Sequence, residues 1–204
     1  MPLDFPHFPY GKPTFGIDLR PDQPGFTPEQ RQFFESCAER KVLLGDRGSG
    51  KTYALVNLAI HRALNTPGAP VRFLTTEEEQ PISEIDALIT ECYLRHWVGD
   101  SLSVTATPAY QRLSLNQDGK CIGSIDVSKL NDACPYPNTS TTIVDGALNL
   151  PDDMIDRVLM SNRYPAKPWM IVFGGSVSSD SARTLHRLFN LGCESHYLPS
   201  LAQK

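Results

Sequence analysis

The chain has 204 residues, of which 40% are hydrophobic and 21% charged, and its formal net charge is −4. That length and composition suit a single globular domain with one good core. The acidic balance excludes nucleic-acid binding through bulk charge, so any DNA contact must come from a local patch or an assembled ring.

No apolar run approaches the ~20 residues of a membrane span, and the N-terminus carries acids and prolines where a signal peptide needs an apolar core. The five cysteines, Cys37, Cys92, Cys121, Cys134 and Cys193, form no C-x-x-C pair. An odd count without a framework fits a reducing compartment. The expectation is a soluble, cytoplasmic protein without a membrane partner.

The first 28 residues hold seven prolines interleaved with Phe5, Phe8, Tyr10 and Phe15. Proline at this density forbids regular helix or a central strand, so residues 1–25 read as an N-terminal arm, one that either packs its aromatics onto a body or partner or is a disordered lead-in, and residues 26–204 as the domain. Order begins at FTPEQRQFFE. Thr27 is placed as an N-cap, Pro28 as the first helical residue, and Gln30 completes a T-x-x-Q capping box.

A short apolar strand, Lys41–Leu44, then leads into GDRGSGKT and a helix over Tyr53–Leu64, whose Leu55, Leu58, Ala59, Arg62 and Ala63 recur at helical spacing. Further along, Val71–Thr75 reads as a strand, Ile82–Trp97 as a helix and Leu102–Ala106 as a third strand. Arg112–Leu115 and Cys121–Val127 flank an Asp118-Gly119 turn, a strong hairpin signal. Ser140–Asp145 is a buried-type strand ending in an acid, DDMIDRVLMSNR a helix, and Trp169–Gly175 another buried-type strand. Apolar strands separated by helices predict an α/β fold with a mostly parallel central sheet, helices on both faces and an inserted β-hairpin.

GDRGSGKT fits the phosphate-loop spacing G-x-x-x-x-G-K-[ST], with the required strand before it and helix after it. Gly45, Gly48 and Gly50 allow the backbone N–H groups of Gly45, Asp46, Arg47, Gly48, Ser49, Gly50, Lys51 and Thr52 to curl around phosphate. Lys51 reaches the β- and γ-phosphates, and the Thr52 hydroxyl is a Mg²⁺ ligand. ATP with Mg²⁺ is the expected cofactor pair.

Such a loop needs an acid at the end of a neighbouring strand, and Asp145 holds that place on the metal side. Its other reading is a turn or capping residue. Many P-loop ATPases follow that acid with a glutamate that activates the attacking water, and here the position is Gly146. Loss of a general base slows hydrolysis by ~10² to 10⁴; Asp152, Asp153 and the Glu77–Glu79 run are the candidate substitutes. Arg47, inside the loop, is either a cis-acting finger on the γ-phosphate or a tolerated surface residue. Arg157, Arg163, Arg183 and Arg187 are candidates for an arginine supplied by a neighbouring subunit. Ser176, after Gly174-Gly175, closes a strand beside the expected γ-phosphate, where it can sense that group or simply end the strand. Gln30 either reads the adenine edge through its amide or serves only the capping box.

In order, F-T-P-E-Q-R, R-G-S-G-K-T, a D-G hairpin, I-V-D-G-A-L-N-L and F-G-G-S together resemble the ATPase domain of the large terminase subunit, over roughly Phe26–Ser176. That family drives double-stranded DNA into the procapsids of tailed bacteriophages. The resemblance implies a P-loop ATPase (RecA/ASCE-like) fold, with catalytic roles for Lys51, Arg47, Asp145 and Ser176. It further implies Thr52 and Asp145 on the metal, and Gln30 near the adenine. The implied partners are double-stranded DNA, further copies in a ring, a portal protein, a small terminase subunit and a separate nuclease domain or subunit, in the cytoplasm of an infected host. No nuclease domain is expected within these residues. Two other functions compete: a helicase-like ATPase fragment, and a catalytically weak nucleotide-binding module with a structural or regulatory role.

Overall fold

The computed structural model describes residues 27–66, 68–76, 81–97, 101–107, 112–130, 139–161, 170–178 and 181–199. The expected arm at 1–25, the Glu77–Glu79 run, Arg163 and Cys134 lie outside the described residues.

Helix α1, Pro28–Glu35, starts as the sequence dictates. Thr27 Oγ1 accepts from Gln30 N at 3.2 Å, and Gln30 Oε1 accepts from Thr27 N at 2.9 Å, so both arms of the capping box are closed. Strand β1, Arg40–Gly45, follows, and helix α2, Lys51–Asn65, begins on the loop lysine itself. Nearly all of α2 is buried, which explains a sequence apolar on more than one face.

Strand β2 is Val71–Thr75 and helix α3 is Ile82–His96. Strands β3, Leu102–Thr107, β4, Arg112–Gln117, and β5, Lys120–Lys129, form an antiparallel meander. At its β4–β5 turn Asp118 and Gly119 both take positive φ, 50° and 73°, as a type I′ hairpin requires. Arg112 and Asp126 face each other across the same pair, held by two hydrogen bonds of 2.6 and 2.9 Å.

Strand β6, Thr141–Asp145, passes through a 3-10 turn, Ala147–Asn149, into helix α4, Asp152–Ser161. Strand β7 is Met170–Ser176, followed by helix α5, Ala182–Asn190, and strand β8, Glu194–Leu198. The sheet order is β3-β4-β5-β2-β6-β7-β1-β8, parallel from β5 onward. The expected third strand therefore belongs to the antiparallel edge beside the hairpin, and β8, which follows β7 and α5, extends the sheet past the loop-bearing strand.

Alternate strand residues feed two cores. Leu43, Phe73, Ile143 and Val172 pack with α1, α2 and α3, while Val42, Leu74, Val144 and Phe173 pack with the 3-10 turn, α4 and α5. The architecture is three layers, helix on sheet on helix. Among the described residues no helix is long and apolar enough to cross a membrane.

Candidate functional site

The loop opens at the C-terminal end of β1, where Gly45 pairs with Ser176 of β7 on one side and Leu198 of β8 on the other. A Cβ at position 45 would overlap the Leu198 carbonyl oxygen and lie 2.7 Å from Ser49 Oγ. Only glycine lets the loop leave the sheet this close to β8. Gly48 and Gly50 then take φ values of 76° and 79°, in the left-handed region a side chain resists.

Lys51 starts α2 with its ammonium turned back into this curl. Its Nζ donates to the carbonyl oxygens of Gly45 at 3.1 Å and Asp46 at 2.7 Å, and lies 3.4 Å from Ser49 Oγ. The residue is only 8% exposed, so a cation is held away from water at a helix N-terminus, the chemistry a phosphate group fits. Next along the helix, Thr52 Oγ1 donates to Asp145 Oδ2 at 2.7 Å. Asp145 is buried at the end of β6, and its backbone carbonyl accepts from Thr76 N at 3.3 Å. The hydroxyl and the carboxylate expected to share a metal are thus brought together from residues 93 apart in sequence, and an oxygen pair of this kind suits Mg²⁺.

The Gly174-Gly175 pair has a packing cause. A Cβ on Gly174 would come within 2.5 Å of Leu55 of α2, and one on Gly175 within 2.7 Å of Leu148 in the 3-10 turn. These glycines draw α2 and the β6 exit tightly onto β7. Ser176 stands exposed at the strand end, in register with Gly45, and its carbonyl oxygen accepts from Ser181 Oγ at 3.4 Å.

Gln30 is buried, 3% exposed, and joins α1 to the loop: besides its capping bond, Nε2 donates to the Gly50 carbonyl at 3.2 Å. Beneath it, the fully buried Lys41 of β1 donates to the carbonyl oxygens of Phe33 at 3.0 Å and Ser36 at 2.5 Å. Burial lowers this ammonium's pKa to about 8. The lysine fixes the end of α1 to the loop strand. Arg47 is exposed and makes no hydrogen bond or ion pair among the described residues.

Gly146 has φ 85° and ψ 20°, a left-handed residue that turns the chain from β6 into the 3-10 segment. The absence of a glutamate here therefore has a backbone reason. Of the substitute acids, Asp152 is engaged by Arg183 at 2.6 Å and Arg187 at 3.9 Å, and Asp153 by Arg157 at 3.7 Å. Those contacts, with Asp156 on Arg187 at 2.5 Å, place three of the arginines proposed for a neighbouring subunit in pairs within this chain.

Sequence reasoning missed the β8 side of the site. Tyr197 Oη donates to Asp46 Oδ2 at 3.2 Å, so the second loop residue is tethered to the last strand. The available signal was a Schellman ending on α5, where Gly192, at φ 74°, donates to Phe189 O and Cys193 N donates to Leu188 O.

This assembly of loop, strand-end acid and parallel sheet defines the class: an α/β P-loop NTPase fold. No protein-family model matches the sequence, nor does any curated protein. Solved structures do. The large terminase of a thermophilic bacteriophage matches with a TM-score of 0.67 at 12% identity, over 86% of this chain and 46% of that one. The same thermophilic-phage protein in complex with ATP-gamma-S gives 0.62 at 10% identity, over 85% and 44%. The large terminase of bacteriophage HK97 gives 0.58 at 12%, over 83% and 39%. The chain shares the fold of part of these phage large terminases and spans less than half the length of each.

Proposed function

We propose that this chain is an ATP-binding and ATP-hydrolysing motor domain for packaging double-stranded viral DNA. The observation that carries the reading is the Lys51–Thr52–Asp145 arrangement, a buried ammonium in a glycine curl beside a hydroxyl–carboxylate pair, on a terminase-like fold. The thermophilic-phage terminase adds support, since that protein, similar in fold over the matched part, is known in complex with ATP-gamma-S. In this reading, the loop N–H groups and Lys51 hold the phosphates, and Thr52 and Asp145 hold Mg²⁺. Bound Mg²⁺ supplies charge neutralisation on the phosphate oxygens. Arg47, exposed on the loop, is the in-chain candidate for stabilising transition-state charge, and Ser176 for reporting the γ-phosphate to the sheet. Double-stranded DNA, further copies of the chain in a ring, a portal protein, a small terminase subunit and a nuclease domain or subunit are the partners such a motor uses.

The test is phosphate release from ATP with and without double-stranded DNA, at several protein concentrations. Turnover that rises with DNA and with concentration is expected; ATP binding without turnover under every condition would overturn the motor reading. A second reading, a nucleotide-gated structural module, is favoured by the left-handed backbone at Gly146 and by the arginine pairs that occupy Asp152. Binding without turnover is the outcome it expects.

A further inference from the structure

Strand β1 separates two sides of the loop. On the β7 and β6 side stand Ser176 and Asp145, the latter bound to Thr52, so the metal and the terminal phosphate belong there. A nucleotide with its last phosphate at that end carries its nucleoside out over the other side of β1, which is β8. The residue waiting there is Tyr197.

Several observations set this ring apart from an ordinary surface tyrosine. It is 52% exposed, whereas its strand neighbours His196 and Leu198 are turned inward and buried. Its register is fixed by pairing with Leu44, one residue before the loop begins. Its hydroxyl is held by Asp46, inside the loop, so the ring is presented at a set distance from the phosphate curl instead of swinging freely. Gln30, the other base-reading candidate, has already committed its acceptor to Thr27 N and an amide hydrogen to Gly50 O.

We propose that Tyr197 is the stacking platform for the base of the bound nucleotide. This rests on the nucleotide-binding reading above and adds its base subsite. Stacking uses the π-face that every base carries, so it favours a nucleotide over a bare phosphate chain and discriminates weakly among bases. Asp46 acts as a positioning residue for the ring.

The experiment measures the affinity of the full chain for ATP and for inorganic tripolyphosphate, each with Mg²⁺, in the wild type, Tyr197→Phe and Tyr197→Ala. Expected is a roughly tenfold loss of ATP affinity in Tyr197→Ala, tripolyphosphate affinity within about twofold of wild type, and a smaller loss of ATP affinity in Tyr197→Phe, which keeps the π-face but gives up the Asp46 tether. Retained tripolyphosphate binding also certifies that the loop is folded. Equal loss of both ligands in Tyr197→Ala, or unchanged ATP affinity, would overturn the stacking role while leaving the loop assignment standing. A wild-type chain that binds neither ligand would overturn both.

Discussion

Thr52 Oγ1 donates its hydrogen to Asp145 Oδ2 across 2.7 Å, joining the first turn of α2 to the last residue of β6. A cation held here would draw on the Thr52 hydroxyl and, directly or through water, on the Asp145 carboxylate in place of that hydrogen bond. Asp145→Asn keeps an acceptor for Thr52, so stability should change by less than about 1 kcal/mol. The carboxylate charge is lost, and with it the dependence of ATP affinity on Mg²⁺. Titration calorimetry with and without Mg²⁺ checks this; full Mg²⁺ dependence in Asp145→Asn would remove Asp145 from the metal.

Lys51→Met retains the buried stem of the side chain and deletes the ammonium that now bonds the Gly45 and Asp46 carbonyls. Charge-assisted hydrogen bonds contribute about 1.5–3 kcal/mol each. Losing two toward phosphate should weaken ATP binding by at least about 100-fold. Unchanged ATP affinity in this variant would sink the phosphate-loop assignment. Circular dichroism should show the same secondary structure as the wild type.

Gly146 takes φ 85°, so any L side chain there is strained. Gly146→Ala and Gly146→Glu should both lose about 1–2 kcal/mol, with Gly146→Asn losing less because asparagine tolerates left-handed angles. Urea unfolding ranks the three. Placing a glutamate at this position is therefore expected to lower stability without raising turnover. A Gly146→Glu protein as stable as wild type, and faster, would show that the turn relaxes to accept a base.

His61 is buried on α2 between the rings of Phe34 and Trp97, at centroid distances of 4.9 and 5.8 Å. Burial, then the neighbouring Arg62 and Lys41, lower its pKa to about 3. In the unfolded chain the imidazole takes up a proton below about pH 6.5, while the folded protein keeps it neutral. The unfolded state therefore binds more protons in the window between those values. The contribution of His61 is fully present above pH 6.5 and declines as pH falls toward 3, by up to about 1.4 kcal/mol per pH unit. His61→Phe should flatten the decline in stability between pH 6.5 and 5; an unaltered slope would show that other groups set it. His196, also lowered chiefly by burial, leaves a residual slope of the same sign.

Much of this site is legible in the sequence because its strands carry apolar residues toward both faces. Thr142-Ile143-Val144 and Ile171-Val172-Phe173 announce central strands, and the capping box announces α1. Strand β8 escapes because Glu-Ser-His-Tyr-Leu is an edge strand, and an edge needs little apolar side chain to hold its place. Gln30 is legible as a cap but not as a bond to Gly50, which depends on how α1 packs over the loop. The glycine at 146 looks like a missing glutamate because residue letters carry chemistry and leave φ unstated.

The contact of Gly45 with Leu198 gives the phosphate loop a mechanical address. Strands β1 and β8 run parallel and in register up to that pair, so a load applied along β8 acts in shear on the ladder they share and reaches the loop within one residue. With no Cβ to cushion it, Gly45 leaves almost no slack between the two backbones. A pull on the far end of β8 and a change in what the loop holds are opposite ends of one short, stiff linkage.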